Sequence, residues 1–424
     1  MSEFPSRRFH KLHERILLSF WFSLLLGGLF SVALPLSLYW GTLHVPTTTQ
    51  GQRTAIMVVS AAFLVSHITV RRLRKTYPGV KSGFFIAPQV FAVYILFALG
   101  ALLLRLEISR LILVGSGIAA IFWFHLEYVA TFRYRRLKLA VVGQSAADQL
   151  LSLPDIDTRV IHDFDLGSTR YDAVVTDFSQ LDHATERFLT KCALSRIAVY
   201  DAKAIFESFT GRVQINRMSE NNIGSLLPSP TYEMLKRLAD LAILVCSLPI
   251  VLPICIITAI CIKLESPGPV IYAQMRVGQG NKRFVMYKFR SMYVDNKERV
   301  AKFASEEDPR VTRVGRIIRQ LRIDELPQLI NVLNAEMSLI GPRPEQPAFV
   351  QRFDEIIPFY CYRHVVKPGI TGWAQVRHGY AASTDETQVK IEHDFYYIKN
   401  CSLYLDLLIV FLTIKTMLTG FGAR

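Results

Sequence analysis

Two adjacent carboxylates, Asp324 and Glu325, are the side chains of this sequence best placed to do chemistry. They precede the run Leu-Pro-Gln-Leu-Ile-Asn-Val-Leu, whose apolar spacing predicts a helix with Pro327 in its first turn. The positive end of that helix dipole favours the ionised carboxylates that a nucleophile or a cation ligand requires. An acidic pair at a helix start, taken alone, is more often a solvated cap, so both interpretations stay open.

Arginines are concentrated around this pair. Guanidinium groups bind phosphate oxygens two at a time, and an arginine framed by prolines loses little backbone entropy on binding. The grouping therefore predicts a site for a diphosphate. The upstream arginines recur every third residue, near one helix face, so Arg313 and Arg316 could instead contact anionic lipid headgroups. The arginines are Arg313, Arg316, Arg319, Arg322 and the proline-framed Arg343.

Uncharged apolar runs near the N-terminus indicate a membrane protein. The 424-residue chain has a mean hydropathy of +0.26, which is high for a soluble enzyme. A spanning helix needs about 20 predominantly apolar residues. Four runs of roughly that length predict four transmembrane helices: 16–39, 54–70, 84–104 and 111–126.

Basic clusters flank these runs, and with four spans all of the clusters would lie on one side of the membrane. Because cytoplasmic loops carry an excess of Lys and Arg, four spans place both the N-terminus and everything after Lys138 in the cytoplasm. The clusters precede the first run and follow the second and fourth: Arg7, Arg8, Lys11 and Arg15; Arg71, Arg72, Arg74 and Lys75; Arg133, Arg135, Arg136 and Lys138.

A fifth apolar segment, 238–262, is long enough to cross a membrane but contains Pro249 and Pro253. Each proline removes a backbone donor and disfavours the preceding helical turn, and basic residues flank both ends. These features predict a re-entrant helix-break-helix that returns to the cytoplasmic side. The alternative is a fifth true span, which would place the rest of the chain on the far side of the membrane.

Between the membrane runs and this segment, buried-type strands alternate with helical patterns. Strands predicted at 137–142, 171–177 and 197–200 indicate a small Rossmann-like α/β domain over 137–215, followed by a linker at 216–234. The turn that holds Gly143 lacks the Gly-x-Gly-x-x-Gly fingerprint, so a bound dinucleotide is not predicted. A structural or regulatory role is the simpler interpretation.

The net charge of +14 predicts anionic partners, and the basic residues flank apolar runs rather than forming a DNA-recognition helix. Nucleic acid is therefore not expected as a partner. The six cysteines include no Cys-x-x-Cys pair, which argues against a zinc site or a disulfide framework and agrees with a reducing cytoplasm.

Residues 235–424 resemble the bacterial sugar transferase family of monotopic phosphoglycosyl transferases, which includes undecaprenyl-phosphate glucose and galactose phosphotransferases. Any one of the matching motifs would be weak, but they occur together and in order. They are Lys236-Arg237 with Asp240, Ser266-Pro267-Gly268-Pro269-Val270, Tyr287-Lys288-Phe289-Arg290-Ser291-Met292, Asp308-Pro309-Arg310-Val311-Thr312, Asp324-Glu325-Leu326-Pro327-Gln328, Gly341-Pro342-Arg343-Pro344 and Lys367-Pro368-Gly369-Ile370-Thr371-Gly372-Trp373.

The resemblance implies a reaction and a set of roles. Asp324 would attack a UDP-sugar, release UMP and hold a hexose 1-phosphate covalently until undecaprenyl phosphate accepts it, while Glu325 would help bind Mg²⁺. This is the first membrane step of exopolysaccharide, capsule or O-antigen synthesis, on the cytoplasmic face of a bacterial inner membrane. The implied phosphate-binding residues are Lys288, Arg290, Arg319 and Arg343, with Arg363, His364 and Lys367 as weaker candidates.

One departure from the family is Leu252, which precedes Pro253 where a serine is usual, so the predicted break must rely on Pro249, Ser247 or another partner for the freed carbonyl. Asp308 and Arg310 could form an ion pair that orders their loop. Two competing functions are a non-enzymatic scaffold, with the acidic pair a cap, and an oxidoreductase that uses the middle domain. A homodimer is expected.

The sequence as a whole predicts a membrane protein of the α plus α/β class. Its predicted parts are a four-helix membrane domain (1–136), the Rossmann-like domain (137–215), the linker (216–234) and a mainly helical catalytic domain (235–424).

Overall fold

The computed structural model divides the chain into two compact units, Met1–Gly211 and Arg212–Arg424. The predicted basic cluster before residue 16, Asp308 and most of the predicted linker lie outside the described residues. The structure describes residues 19–41, 49–76, 83–132, 137–153, 156–167, 169, 171–215, 227–293, 310–378 and 384–419.

The first unit begins with four long apolar helices at the positions of the predicted spans. Each is long and apolar enough to cross a membrane, and α1 contains a π-helical turn at Leu29–Ala33. Leu36, Val59, Val90 and Phe124, one from each helix, belong to a single buried cluster. The helices are α1 (Phe20–Trp40), α2 (Gln50–Thr76), α3 (Gly83–Leu103) and α4 (Arg110–Phe132).

A four-stranded parallel sheet follows, in the order β2-β1-β3-β4, so the predicted parallel α/β architecture is confirmed. Helix α6 packs on one face and helices α5 and α7 pack on the other. The sequence analysis missed β2, an edge strand that carries Asp157 and Arg159 instead of a continuous apolar run. The elements are β1 (Leu137–Val142), α5 (Gln144–Leu150), β2 (Ile156–Ile161), β3 (Ala173–Thr176), α6 (His183–Leu194), β4 (Ala198–Asp201) and α7 (Ala202–Thr210).

The second unit is mainly helical, with two small two-stranded sheets: β5 pairs antiparallel with β6, and β7 pairs parallel with β8. The elements are α8 (Pro230–Glu265), β5 (Ile271–Val277), β6 (Arg283–Phe289), α9 (Arg313–Gln320), α10 (Leu329–Leu333), β7 (Ser338–Ile340), α11 (Pro347–Ile356), β8 (Gly369–Thr371), α12 (Trp373–Arg377), α13 (Thr384–Lys399) and α14 (Leu403–Thr419).

Helix α8 corrects the predicted helix-break-helix. It runs without interruption through Pro249 and Pro253, so the break is wrong. The proline ring fixes φ near its helical value, which lets the backbone continue although each ring leaves one carbonyl without its usual donor. The Ser247 hydroxyl donates to the Leu244 carbonyl at 2.9 Å, not to a carbonyl freed by either proline. The re-entrant path through the membrane stays a prediction.

The length and surface of α8 suit a membrane. Thirty-six residues make a helix of about 54 Å, longer than the roughly 30 Å hydrocarbon core of a bilayer. Most of its large apolar side chains are exposed on the folded chain, including Ile250, Leu252 and Ile257. Leu244 and Ile262 are buried against the rest of the unit, and they attach the helix to the site described below.

Three glycines allow two backbone segments to approach closely beside β7 and β8. A Cβ atom at Gly369 would lie 2.0 Å from the Gly341 nitrogen, and one at Gly372 would lie 2.1 Å from the Gly341 oxygen. The Gly341 N–H donates to the Thr371 carbonyl at 2.8 Å, and the Gly369 N–H donates to the Pro342 carbonyl at 2.9 Å. Only glycine fits there without separating the two segments.

We expect Gly369→Ala to destabilise the second unit, because the added methyl group overlaps backbone atoms that cannot rotate away. The expected cost is about 1–3 kcal/mol, or a fall of about 5 °C in the unfolding temperature in detergent. Gly100→Ala is the control: it makes the same change within α3, where nothing lies within 4 Å of the new Cβ. An unchanged unfolding temperature for Gly369→Ala would contradict the close approach.

Candidate active site

The acidic pair lies in a 3₁₀ turn, Ile323–Gln328, that leads into α10. The predicted helix start is therefore present, but the two acids precede the α-helical residues. Arg322 has a φ of +57°, a left-handed conformation that is uncommon for residues other than glycine. This conformation turns the chain sharply between α9 and the acidic pair.

Glu325 is the centre of the site. Its side chain is 7% exposed, and its Oε1 accepts hydrogen bonds from Lys288 Nζ and Arg343 Nη2, both at 3.0 Å. Arg322 Nη1 lies 3.9 Å from the same oxygen. Three cations from three separate parts of the chain thus meet at one carboxylate.

These contacts decide the protonation states. Burial by itself raises the pKa of Glu325, but the charges of Lys288, Arg343 and Arg322 outweigh burial and lower that pKa well below its ordinary value of 4.5. Burial lowers the pKa of Lys288, and the charge of Glu325 opposes that fall. The charge of Glu325 raises the pKa of Arg343. Glu325 is consequently ionised and paired across the physiological range.

Asp324 has a different environment from its neighbour. Its pKa is raised above its ordinary value of 3.8, first by burial and then by the charge of Glu325, while Lys288, Arg343 and Arg319 act to lower it. A carboxylate with a raised pKa is a stronger base and hence a better nucleophile than an ordinary one. The two adjacent acids therefore differ in basicity because their surroundings differ.

Strand β6 delivers Lys288 to the site. Side chains alternate along a strand, so Lys288 points to the same side as Phe284 and Met286, which are buried in the core of the unit. Asn331, which is fully buried, attaches β6 to α10: its Oδ1 accepts from the Tyr287 N–H at 3.2 Å and its Nδ2 donates to the Val285 carbonyl at 2.7 Å. These hydrogen bonds fix the position of Lys288 relative to the acidic pair.

Asn331 was missed by the sequence analysis. The available signal was a single polar residue within the apolar run Leu-Ile-Asn-Val-Leu, where a buried amide must find partners. Its three hydrogen bonds, including one to Glu336 at 2.7 Å, satisfy that requirement.

Arg319, on α9, is the other predicted cation that lies near the pair. Its Nε donates to the Ser291 hydroxyl at 2.8 Å, and its charge acts on Asp324. Arg313 and Arg316 are exposed on the same helix.

The remaining predicted phosphate-binding residues have other contacts. The guanidinium group of Arg290 is buried and donates to the Ser266 carbonyl at 2.8 Å and to the Pro267 carbonyl at 2.7 Å, so it fastens β6 to the end of α8. Arg363 is paired with Asp394 at 2.7 Å. Neither guanidinium group bonds to Asp324 or Glu325 in the part of the chain that the structure describes.

In the described part of the chain, His364 and Lys367, the other weak candidates, make no hydrogen bond or ion pair with Asp324 or Glu325. Burial lowers the pKa of His364 to about 3, which leaves it neutral, and its Nδ1 contacts Asn281. The pKa of Lys367 is lowered by partial burial and by the nearby charge of Arg237.

The residues partly fit the predicted Mg²⁺. Among the described residues, no group of three or more His, Cys, Asp or Glu side chains could hold a metal by itself. Mg²⁺, however, usually binds one or two carboxylates together with substrate phosphates and water. Asp324 and Glu325 offer that number of carboxylates, so a diphosphate substrate would have to complete the site.

The geometry thus places two carboxylates among several cations, and comparison with known proteins identifies the family. A family described as bacterial sugar transferase matches residues 231–420. The chain is also 47% identical over 420 residues to the UDP-N-acetylgalactosamine-undecaprenyl-phosphate N-acetylgalactosaminephosphotransferase of Aeromonas hydrophila, a match that covers 99% of each chain. The chain belongs to the bacterial sugar transferase family.

Two further relatives of this bacterial sugar transferase match over part of their length. The UDP-glucose:undecaprenyl-phosphate glucose-1-phosphate transferase of Escherichia coli (strain K12) is 40% identical over 215 residues, which cover 49% of this chain and 46% of the relative. The undecaprenyl-phosphate glucose phosphotransferase of Komagataeibacter xylinus is 47% identical over 195 residues, which cover 44% and 37%. The predicted family is confirmed.

We expect Lys288→Met to lower the stability of this bacterial sugar transferase at pH 7, because it removes one partner of the buried Glu325 charge. With Arg343 still in place, the cost should be about 1–3 kcal/mol. The pairing of Glu325, whose pKa is depressed in the folded protein, stabilises the fold fully above pH 4.5 and is lost as the pH falls through the folded pKa. The difference in unfolding temperature between variant and parent should therefore narrow below pH 4.5.

The control is Lys282→Met, which changes an exposed lysine beside the same hairpin. A similar loss of stability in both variants, or a loss in Lys288→Met that does not depend on pH, would argue against the ion pair as the cause.

Proposed function

We propose that this bacterial sugar transferase moves a sugar 1-phosphate from a UDP-sugar to undecaprenyl phosphate, through a covalent intermediate on Asp324. The observation that carries this proposal is the environment of two adjacent carboxylates. Asp324 is half-buried and has a raised pKa, and its neighbour Glu325 binds Lys288 and Arg343. The relatives from Aeromonas hydrophila and Escherichia coli support it, since both are named for transfer from a UDP-sugar to undecaprenyl phosphate.

In the first step, an Asp324 carboxylate oxygen attacks the β-phosphorus of the UDP-sugar. A bond forms between that oxygen and phosphorus, the bond from the β-phosphorus to the bridging oxygen breaks, and UMP leaves with the electron pair. Lys288, Arg319 and Arg343 hold the diphosphate in line for displacement and offset its charge as the anionic carboxylate approaches. The product is an acyl phosphate that carries the sugar.

In the second step, an oxygen of undecaprenyl phosphate attacks the same phosphorus. The acyl phosphate bond breaks, the Asp324 carboxylate is regenerated, and the sugar leaves on undecaprenyl diphosphate. No proton has to be moved in either displacement, since both nucleophiles are anions. This agrees with the neutral state of His364 and with a site built from fixed charges.

Asp324, and not Glu325, is the proposed nucleophile because the two carboxylates differ in availability. Glu325 is buried with Oε1 held by two cations, whereas Asp324 is only half-buried and has a raised pKa. Glu325, with the substrate diphosphate, is the proposed ligand for Mg²⁺, which would supply charge neutralisation at the phosphates.

The proposed donor is UDP-N-acetylgalactosamine. The Aeromonas hydrophila relative, whose match includes nearly all of both chains, is named for that sugar, while the glucose transferases match about half of this chain. The proposed setting is the first membrane step of surface polysaccharide assembly, with the second unit at the cytoplasmic face of the inner membrane. The apolar helices α1 to α4 and α8 support a membrane location.

We expect Asp324→Asn to abolish UMP release, with a loss of at least about 10³-fold, because the amide cannot form the acyl phosphate. Glu355→Gln is the matched acid-to-amide control on the exposed face of α11. The measurement uses purified protein with Mg²⁺, undecaprenyl phosphate and either UDP-N-acetylgalactosamine or UDP-glucose. Donor labelled in the sugar phosphate should leave an adduct on the parent protein and none on the variant.

Turnover that persists in Asp324→Asn would exclude the covalent step at this residue. Release of UMP from UDP-glucose at an equal or higher rate would be consistent with the proposed reaction but would contradict the proposed donor.

We expect kcat/KM to fall as the pH falls through the raised pKa of Asp324, since only the ionised carboxylate attacks. The acidic limb of the pH profile should therefore lie above the ordinary aspartate pKa of 3.8.

Arg343→Met should move this acidic limb to higher pH, because it removes a charge that lowers the Asp324 pKa. Glu325→Gln should move it to lower pH, because it removes a charge that raises that pKa. Shifts in the opposite directions would show that another group controls the limb.

A further inference from the structure

A buried ion pair, outside the acidic centre, holds the backbone that carries Arg343. Arg363 Nη2 lies 2.7 Å from Asp394 Oδ2, and both side chains are 2% exposed. We propose that Arg363 and Asp394 are positioning residues that fix the Arg343 guanidinium group for the donor diphosphate. This inference rests on the proposed function, because it takes Arg343 to be a diphosphate ligand.

The contact with the Arg343 loop is direct. The same Arg363 Nη2 donates to the Arg343 carbonyl oxygen at 2.9 Å, while Nη1 donates to the hydroxyl of the buried Tyr360 at 3.1 Å. Asp394 and Tyr360 therefore orient the guanidinium plane of Arg363, and one edge of that plane binds the backbone of Arg343.

Helix α13 holds the next residues of the loop in the same way. Lys390, one turn before Asp394, pairs with Glu345 Oε1 at 2.8 Å. Arg276 Nη1 donates to the Pro344 carbonyl at 3.1 Å, and the Val277 N–H donates to the Glu345 carbonyl at 3.0 Å. Three consecutive residues, 343 to 345, are thus held by charged side chains or by β5. The Arg343 side chain itself is 32% exposed and bound at its tip by Glu325.

Stability alone does not account for a charged pair at this place. Burying two charges costs desolvation energy that their attraction often only offsets, and apolar pairs of similar volume are often as stable. What the pair adds is geometry: it sets a guanidinium edge against one backbone carbonyl. Displacement of that carbonyl would move the Arg343 guanidinium group and weaken its hydrogen bonds to the donor diphosphate, both before and during the reaction.

The test is the effect of Asp394→Asn on UMP release from UDP-N-acetylgalactosamine. The amide keeps the shape of the side chain but frees Arg363 to turn away from the Arg343 carbonyl. We expect KM for the donor to rise about tenfold, with kcat falling less than about threefold, since Arg343 binds the diphosphate before and during displacement. A fall in kcat at constant KM would show a mere loss of folded enzyme and would overturn the proposal.

A double-mutant cycle with Arg343→Ala separates positioning from general damage. If Asp394 acts through Arg343, Asp394→Asn should raise KM less than about twofold once Arg343 is absent. A tenfold rise in both backgrounds would overturn the proposal. Asp394→Glu, which retains the charge, should restore most of the donor affinity.

Glu392→Gln is the matched control. Glu392 is buried on the same helix and pairs with Arg212 at 3.8 Å, but it contacts the segment 212–215 and not the Arg343 loop. It should lower the unfolding temperature without changing KM. A KM increase equal to that of Asp394→Asn would mean that any damage to α13 has this effect, and would count against the proposal.

Calorimetric binding of UDP, a diphosphate probe that needs no turnover, keeps this inference separate from the proposed function. If the parent protein releases no UMP from any UDP-sugar, the proposed function fails, and the same cycle measured on UDP affinity still decides the positioning role. A tenfold loss of affinity that disappears in the Arg343→Ala background would support it. Equal losses in both backgrounds would overturn it.

Discussion

The second unit depends on one carboxylate that is shared by cations from distant parts of the chain. Glu325 accepts from Lys288 on β6 and from Arg343 in the loop after β7, which are 37 and 18 residues away in sequence. A buried charge without partners would cost several kcal/mol, so the fold must bring these elements together whenever the acidic turn is buried. Asn331, Arg290 and Arg363 then act on the backbones of the same elements. These contacts hold the backbone segments around the site.

Helix α8 contributes both an apolar surface suited to a membrane and part of the core around the site. Helix α8 exposes most of its apolar surface but is anchored by Leu244 and Ile262, which pack with β6 and α9. The Lys236 ammonium group, near its start, pairs with Asp406 of α14 at 2.9 Å. The same helix that would enter the bilayer thus forms part of the core around the acidic pair. At such a boundary, an acceptor lipid whose phosphate lies in the headgroup layer could meet a donor dissolved in water.

Local patterns in the sequence predicted what is determined locally. Apolar run length predicted the four N-terminal helices, and buried-type strands separated by helices predicted the parallel sheet. The pattern failed at β2, whose alternating charges are typical of an edge strand, and at α8, where prolines do not end the helix. The resemblance to a known family placed Lys288 and Arg343 near the acidic pair, but it could not predict that Arg290 and Arg363 bind backbone carbonyls instead. The partners of those arginines, Ser266 and Asp394, are 24 and 31 residues away, and no local pattern encodes such pairings.

In the proposed reaction, the charge balance of the centre gives both acids a role in a site that would bind an anion. Lys288, Arg319, Arg322 and Arg343 surround Asp324 and Glu325, which leaves two positive charges in excess. The diphosphate of a UDP-sugar carries two negative charges, so this excess would attract the proposed donor. Without Glu325, the cations would repel one another and the Asp324 carboxylate would be held too tightly to attack. With it, the proposed attack would move one negative charge from Asp324 to the departing UMP while the total stays constant. A preorganised array of fixed charges is suited to that transfer, because no group needs to reorient as the charge moves.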